Sequence, residues 1–310
     1  MVEKNIDFDV LIAGGGPAGL SALLWCAELG LSAILLEKEA EFGGQLLHTH
    51  NAIQNYLGAN AANGCELRDS FLRQLENTGI KRLTGAEIVE ADLVRKTVTL
   101  ADGTAISGHA IIIGTGVRRR KLMVPGEVEF RGRGILDSGV TAMDEVRGKT
   151  VLIVGGGDAA LENALILSET AREILVVHRR GELTARREFV KKARESEKIE
   201  LLFNTQITEI IGKEGVEAVE TKHLTSGRLL RMQTDAVLIR IGVEPNTELF
   251  RGQIELDDEG YVIIDRNCAT SLQGVFAVGD VANRLAPTIS TAVGHGAAAV
   301  KAIFREINFR

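Results

Sequence analysis

Two glycine-rich turns occur in this chain in matching frames. The first leads from Val10-Leu11-Ile12-Ala13 through Gly14-Gly15-Gly16-Pro17-Ala18-Gly19 and closes on Ile34-Leu35-Leu36-Glu37. The second leads from Val151-Leu152-Ile153-Val154 through Gly155-Gly156-Gly157-Asp158-Ala159-Ala160 and closes on Ile174-Leu175-Val176-Val177-His178. The spacing from first glycine to last residue is 37 − 14 = 23 positions in one unit and 178 − 155 = 23 in the other. Each unit reads as strand–turn–helix–strand, which sets a nucleotide pyrophosphate on a helix N-terminus. One such turn is weak evidence; two in register predict two dinucleotide sites that differ where the ribose is read.

Glu37 ends the second strand of the first unit. A carboxylate there accepts hydrogen bonds from ribose hydroxyls and repels a 2′-phosphate, which suits FAD or NAD and not NADP. The second unit carries His178-Arg179-Arg180 at the matching place. The guanidinium fork suits phosphate oxygens and hence NADPH, with Arg186 a weaker further contact. A solvated charge pair at a strand end is the alternative role for Arg179 and Arg180.

The 310 residues allow two domains, at roughly 150 residues each. With 45% hydrophobic and 25% charged residues the chain reads as packed and not disordered. A formal charge of −6 gives no electrostatic case for nucleic acid. The apolar start is preceded by Glu3, Asp7 and Asp9 instead of a basic region, and no apolar run approaches membrane-spanning length. The expectation is a cytoplasmic protein without a membrane partner. Cys26, Cys65 and Cys268 show neither C-x-x-C nor metal-ligand spacing, so no disulfide framework and no metal are expected. Cys26 reads as a small core residue, Cys65 as a helix start and Cys268 as part of a strand-edge stretch.

Leu67, Phe71, Leu72 and Leu75 share one face of a helix over 66–78. Residues 80–113 alternate as strands, turn at 101–103 and end in a buried strand before Gly114-Thr115-Gly116. A second strand-rich stretch over 200–238 turns at Ser226-Gly227, so the two halves repeat one plan. Gly274-Val275-Phe276-Ala277-Val278-Gly279-Asp280 reads as a further buried strand with an acid at its end, and a helix over about 291–307 follows. The fold class expected is α/β, with two Rossmann-like three-layer dinucleotide-binding domains, the second (118–243) inserted in the first (1–117 and 244–310).

Gly43-Gly44-Gln45-Leu46, Asn55-Tyr56-Leu57-Gly58, Ile113-Gly114-Thr115-Gly116, Pro125-Gly126-Glu127, the second glycine turn, His178-Arg179-Arg180, Pro245-Asn246 and the 274–280 strand follow in this order. In this the chain resembles the low-molecular-weight bacterial thioredoxin reductase family, from about Asp9 to the last helix. The resemblance implies a homodimer with FAD in the first domain and NADPH in the second. It implies FAD contacts from Gly14, Gly16, Pro17, Ala18, Gly19, Glu37, Lys38, Gly44, Gln45, Leu46, Asn55, Thr115, Gly116, Gly279, Asp280, Thr288, Ile289 and Ser290. For NADPH it implies Gly155, Gly157, Asp158, Ala159, Glu162, His178, Arg179, Arg180 and Arg186. The N-terminus of the last helix would point its partial positive charge at the flavin pyrimidine edge and stabilise an anionic reduced flavin.

The working part of that family is a C-x-x-C disulfide in the second domain, followed by an aspartate. In this chain those positions fall on Ser138, Thr141 and Ala142. A hydroxyl cannot replace a thiolate in disulfide exchange, so no catalytic residue is assigned. The expectation is therefore an FAD-dependent, NADPH-oxidising reductase that passes electrons directly to an external acceptor: a redox carrier such as ferredoxin or flavodoxin, a quinone or a small molecule. The alternatives are a ferredoxin-fed flavoenzyme with a secondary nucleotide site and a non-catalytic FAD/NADPH-binding redox sensor. The run Arg118-Arg119-Arg120-Lys121 is a candidate docking patch for an acidic carrier or a solvated linker. Phe309 reads as a frayed terminal residue.

Overall fold

The computed structural model describes residues 7–308; Glu3 and Phe309 lie outside them. The chain opens with β1 (Phe8–Ala13), α1 (Pro17–Glu28), β2 (Ala33–Leu36), a 3₁₀ turn (Gly44–His48) and α2 (Gly64–Leu75). It continues through β3 (Lys81–Leu83), β4 (Ile88–Asp92), β5 (Thr97–Leu100) and β6 (Ala105–Ile113). After β7 (Val117–Arg119) come β8 (Ile135–Leu136), α3 (Gly139–Ala142), β9 (Thr150–Val154), α4 (Asp158–Ser168), β10 (Glu173–Val177) and α5 (Arg187–Glu195). Five further strands follow: β11 (Ile199–Leu202), β12 (Thr205–Gly212), β13 (Val216–His223), β14 (Leu229–Gln233) and β15 (Ala236–Ile239). The chain ends with β16 (Val243–Pro245), β17 (Val275–Ala277) and α6 (Ile289–Asn308).

Two compact units result, one formed by residues 1–118 with 244–310 and the other by 119–243. In the first, β3, β2, β1 and β6 run parallel in that order and β17 adds to β6. In the second, β11, β10, β9, β15 and β8 run parallel in that order. Both sheets thus count outward from a central first strand in the order of the doubly wound fold.

Alternation along the strands builds three layers in each unit. Val10, Ile12, Leu35 and Ile112 pack with Ala22 and Leu23 of α1 and with Ala299 and Val300 of α6. Their neighbours Leu11, Ile34, Ile111 and Ile113 pack with Ala91 of β4 and with Val98 and Leu100 of β5. In the second unit Val151, Ile153, Ile174 and Val176 face Leu161 and Ala164 of α4, whereas Leu152, Val154, Leu175 and Val177 face Ile207 and Ile210 of β12. A sheet covered on both faces needs apolar residues in succession, which is why these strands read as unbroken runs. Full burial of each such side chain contributes about 1.5–3 kcal/mol. The fold is α/β with two Rossmann-like units. Among the described residues no helix is long and apolar enough to cross a membrane.

The last helix starts two residues earlier than its periodicity suggests. Cys268 sits in a turn with φ of 64° and is buried, instead of lying along a strand edge.

Candidate functional site

In the first unit the register pairs Ala13 with Leu36, Ala13 with Ile113, and Ile113 with Ala277. The residues that follow those strands therefore meet at one sheet end: Gly14, Glu37, Gly114 and Val278. Gly14 takes a φ of 107°, and a Cβ there would run into the Gly114 carbonyl. At Gly19 a Cβ would strike the Gly14 carbonyl, so glycine lets the helix begin flush against the turn. Gly16 precedes α1 without any side-chain cap, and proline opens the helix. The first-turn N–H groups are thereby left for an anion.

Glu37 is 7% exposed. Its Oε2 accepts the Gly15 N–H at 2.7 Å and its Oε1 the Glu39 N–H at 3.0 Å. A carboxylate has about four acceptor sites, so two remain for a ribose diol. Gly44 lies against Gly16, where a Cβ would stand 3.0 Å from the Gly16 Cα. Gln45 donates from Nε2 to the Val117 carbonyl at 2.9 Å. Thr115 and Asn246 exchange side-chain-to-carbonyl bonds at 2.8 Å each, and Gly116 follows with φ of 63°.

Gly279 nests between the starts of α1 and α6, where a Cβ would lie 2.9 Å from that of Ala18 and 3.6 Å from that of Ala292. This gathers Pro17, Ala18, Asp280, Thr288, Ile289 and Ser290 toward the first glycine turn. The half-buried Asp280 carboxyl has no hydrogen bond among the described residues, and burial pushes its pKa up. Thr288 caps α6, accepting the Thr291 N–H on its Oγ1 at 3.2 Å. Three expected residues stand apart. Lys38 is exposed and pairs with Glu39 at 3.6 Å, and Asn55 is exposed on the loop closed by the Ile53–Ala61 bridge. The Leu46 side chain is core, packed with Ile53, Ala61 and Leu67.

The second unit repeats the arrangement with the opposite charge. Register pairs Val154 with Val177 and with Ile239, which brings Gly155, His178 and Arg240 to one end. A Cβ on Gly155, at φ 148°, would meet the Arg240 carbonyl, and one on Gly156 would enter the His178 ring. The His178 Nε2 is buried and unbonded. Burial first, then Arg180 and Arg179, push its pKa down, against a hydrogen bond with the Glu182 backbone. Gly157 precedes α4 without a side-chain cap, and Asp158 stands in the first turn. Arg186 holds that acid, donating its backbone N–H at 2.6 Å and its Nε at 2.9 Å, and also pairs with Glu188 at 3.2 Å. Ala159 is exposed and Glu162 half-buried along α4. Arg179 and Arg180 are exposed, and their guanidiniums carry no bond among the described residues.

Thr184, whose N–H donates to the Gly156 carbonyl at 2.8 Å, and Arg240 complete this end of the sheet. Neither has a periodic or spacing signal in the sequence; only strand register brings them in. Ser138 stands at the N-cap position of the short α3 without a side-chain capping bond, Thr141 follows on it, and Ala142 is buried.

The pyridine nucleotide-disulphide oxidoreductase family model matches residues 8–296. A thioredoxin reductase from Mycolicibacterium smegmatis is 37% identical over 294 residues, covering 94% of this chain and 94% of that protein. One from Streptomyces coelicolor is 34% identical, covering 94% and 91%. The solved structure of Lactococcus lactis thioredoxin reductase superposes with a TM-score of 0.84 at 31% identity, covering 96% of this chain and 98% of that one.

These relatives overturn the expectation of an acceptor outside the thioredoxin class. With it go the ferredoxin-fed and sensor alternatives. Part of the docking patch is also engaged by the chain itself. Arg118 is spent on Glu244, Glu248 and the Asn246 Oδ1, and Arg120 donates from Nε to the Val243 carbonyl at 2.9 Å. The Arg118 charge is thereby taken up by its two carboxylates.

Proposed function

The chain belongs to the pyridine nucleotide-disulphide oxidoreductase family, and from that premise we propose that it is an FAD-dependent NADPH oxidoreductase of the thioredoxin reductase kind. Its cofactors are FAD and NADPH, and thioredoxin, which its relatives' names supply, is the protein it acts on. The observation that carries this reading is the pair of matched strand ends, one closed by the Glu37 carboxylate and the other by Arg179 and Arg180. The fit is favourable at both: Cβ-free turns admit a pyrophosphate, and Asp280 waits for hydroxyl donors. FAD belongs to the first unit and NADPH to the second.

Bound FAD supplies two-electron acceptance from NADPH and delivery onward. Glu37 holds a ribose diol and excludes a 2′-phosphate, and Arg179 with Arg180 selects one. Arg186 neutralises Asp158, which would otherwise repel a phosphate at the start of α4. The N-terminus of α6, with Thr288 as cap, offers positive potential to an anionic ring. Hydroxyls stand at 138 and 141, and no two cysteines lie three apart. We therefore read the chain as reducing thioredoxin without a dithiol at that place.

Anaerobic titration with NADPH, then thioredoxin-dependent NADPH oxidation by the wild type and Cys65→Ser, tests the reading. Flavin bleaching by NADPH with turnover on thioredoxin that Cys65→Ser leaves intact supports it in full. Turnover lost in that variant would put a thiol relay at Cys65 and sink the cysteine-free step. Bleaching without any thioredoxin turnover would refute the acceptor.

A further inference from the structure

The carboxyl end of the second sheet carries a charge arrangement that the glycine turn and Arg179-Arg180 do not use. The register, Val154 with Ile239 and Leu136 with Leu238, puts Gly155, Arg240 and Ser138 in one layer across the neighbouring ends of β9, β15 and β8. Arg240 is 7% exposed. Its Nη1 donates to the Ile239 carbonyl at 2.8 Å and its Nη2 to the Asp137 carbonyl at 2.7 Å. Both bonds end on backbone oxygens, which hold the guanidinium in place without neutralising it.

Arg119 belongs to the segment beside it: the next residue, Arg120, donates its N–H to the Gly242 carbonyl at 3.1 Å, two positions beyond Arg240. Burial foremost, then Arg119, pushes Arg240 down to about 10, with Asp137 pulling the other way. Asp137 is also the acid that acts on Arg119. Two cations against one carboxylate leave a net positive charge beside a buried group. A buried charge is costly until a counter-charge meets it. In open parallel sheets, ligands lie in the crevice outside the carboxyl ends of the strands, and Arg240 stands at that edge.

We propose that Arg240 and Arg119 form a subsite for an anionic oxygen group, a phosphate or carboxylate, on a ligand lying across the ends of β9, β15 and β8. Arg240 is the fixed element, clamped by the Ile239 carbonyl of its own strand and by the Asp137 carbonyl that precedes Ser138. Arg119 is the adaptable one, since its guanidinium carries no bond among the described residues. Asp137 limits the charge, so that one anionic group suffices. Two sources carry such a group. One is NADPH, through its nicotinamide-side phosphate, and this case rests on the nucleotide assignment of the second unit. The other is a separate anionic ligand beside the nucleotide.

Calorimetric titration of the full chain separates them, with NADP⁺, 2′,5′-ADP and inorganic pyrophosphate as probes, on wild type, Arg119→Gln and Arg240→Lys. Arg119 is exposed, so its variant keeps the test alive if Arg240→Lys fails to fold. If NADPH is the source, Arg119→Gln weakens NADP⁺ about tenfold, the scale of one charge-assisted bond, and leaves 2′,5′-ADP unchanged. If a separate ligand is the source, both nucleotides bind as before. Pyrophosphate then still binds the NADP⁺-saturated chain and weakens about tenfold in Arg119→Gln. Pyrophosphate binding that depends on Arg119 in a chain taking up no NADP⁺ would keep the subsite and discard the nucleotide assignment. The proposal is overturned if Arg119→Gln changes neither NADP⁺ nor pyrophosphate binding.

Discussion

Replacing Arg179 and Arg180 together by glutamine removes the main feature by which the second glycine turn is expected to prefer NADPH to NADH. Both side chains are exposed and neither guanidinium has a partner among the described residues. The substitution therefore breaks no internal bond, and the fold should lose no more than about 0.5 kcal/mol. A hydrogen bond to a charged group contributes about 1.5–3 kcal/mol. Exposure and salt screening reduce that to about 1 kcal/mol for each arginine. The pair then represents about 2 kcal/mol, or about 30-fold in the ratio of kcat/KM for NADPH over NADH. NADH has no 2′-phosphate, so its own constant should stay within about twofold.

Stopped-flow reduction of the bound flavin by each nucleotide reads this directly. Raising salt should erode the wild-type preference and leave the variant indifferent, because an exposed contact is a screened one. Arg186→Gln supplies the contrast. Arg186 is committed to Asp158 and Glu188, and its guanidinium lies 4.4 Å from the centre of the Phe189 ring. Its loss should change the nucleotide ratio less than the double variant does. A ratio unchanged in Arg179→Gln/Arg180→Gln would refute the argument that matched sheet ends read the two riboses by charge.

Three further outcomes follow from individual residues. Gly14→Ala forces a left-handed φ of 107° on alanine and drives a Cβ into the Gly114 carbonyl. It should lower stability by about 3 kcal/mol or more, read as a melting temperature, with loss of the yellow cofactor on gel filtration. Asp280→Asn should stabilise the cofactor-free chain at neutral pH. Because burial raises the folded pKa of Asp280, its neutral form is favoured on folding, and the charged form costs stability as pH rises through that value. The gain should vanish at a pH below the unfolded carboxyl pKa, and FAD should bind the variant more weakly; a thermal scan against pH on both forms decides. Of the three cysteines, Ellman's reagent should label one in the native state. Burial pushes Cys26 up to about 12 and Cys268 up to about 11. Cys65, half-buried at the start of α2, is the remaining one, and labelling of two or more before unfolding would contradict the packing described.

What the sequence yielded and what it withheld divide along a physical line. Short β-branched runs bounded by glycine, such as Ile111-Ile112-Ile113 before Gly114, read as strands covered on both faces, and glycines such as Gly14 answer a left-handed backbone and a close approach that a side chain would strain. Those local demands were enough to read the α/β class and both turns from spacing alone. Arg240 carried no such mark. It follows an apolar strand, and as a sequence feature it is one charged residue before Ile241 and Gly242. Its position beside Gly155 arises from the parallel pairing of β15 with β9, two strands separated by most of the second unit. Asp137 comes beside it only because β8 adds to β15 on the far side. Arg118 shows the converse: its charge was visible, but Glu244 and Glu248, which take it up, lie more than a hundred residues away. A charge read from sequence is a statement about side-chain type, and only register and pairing decide whether that charge faces a ligand or is spent on the chain itself.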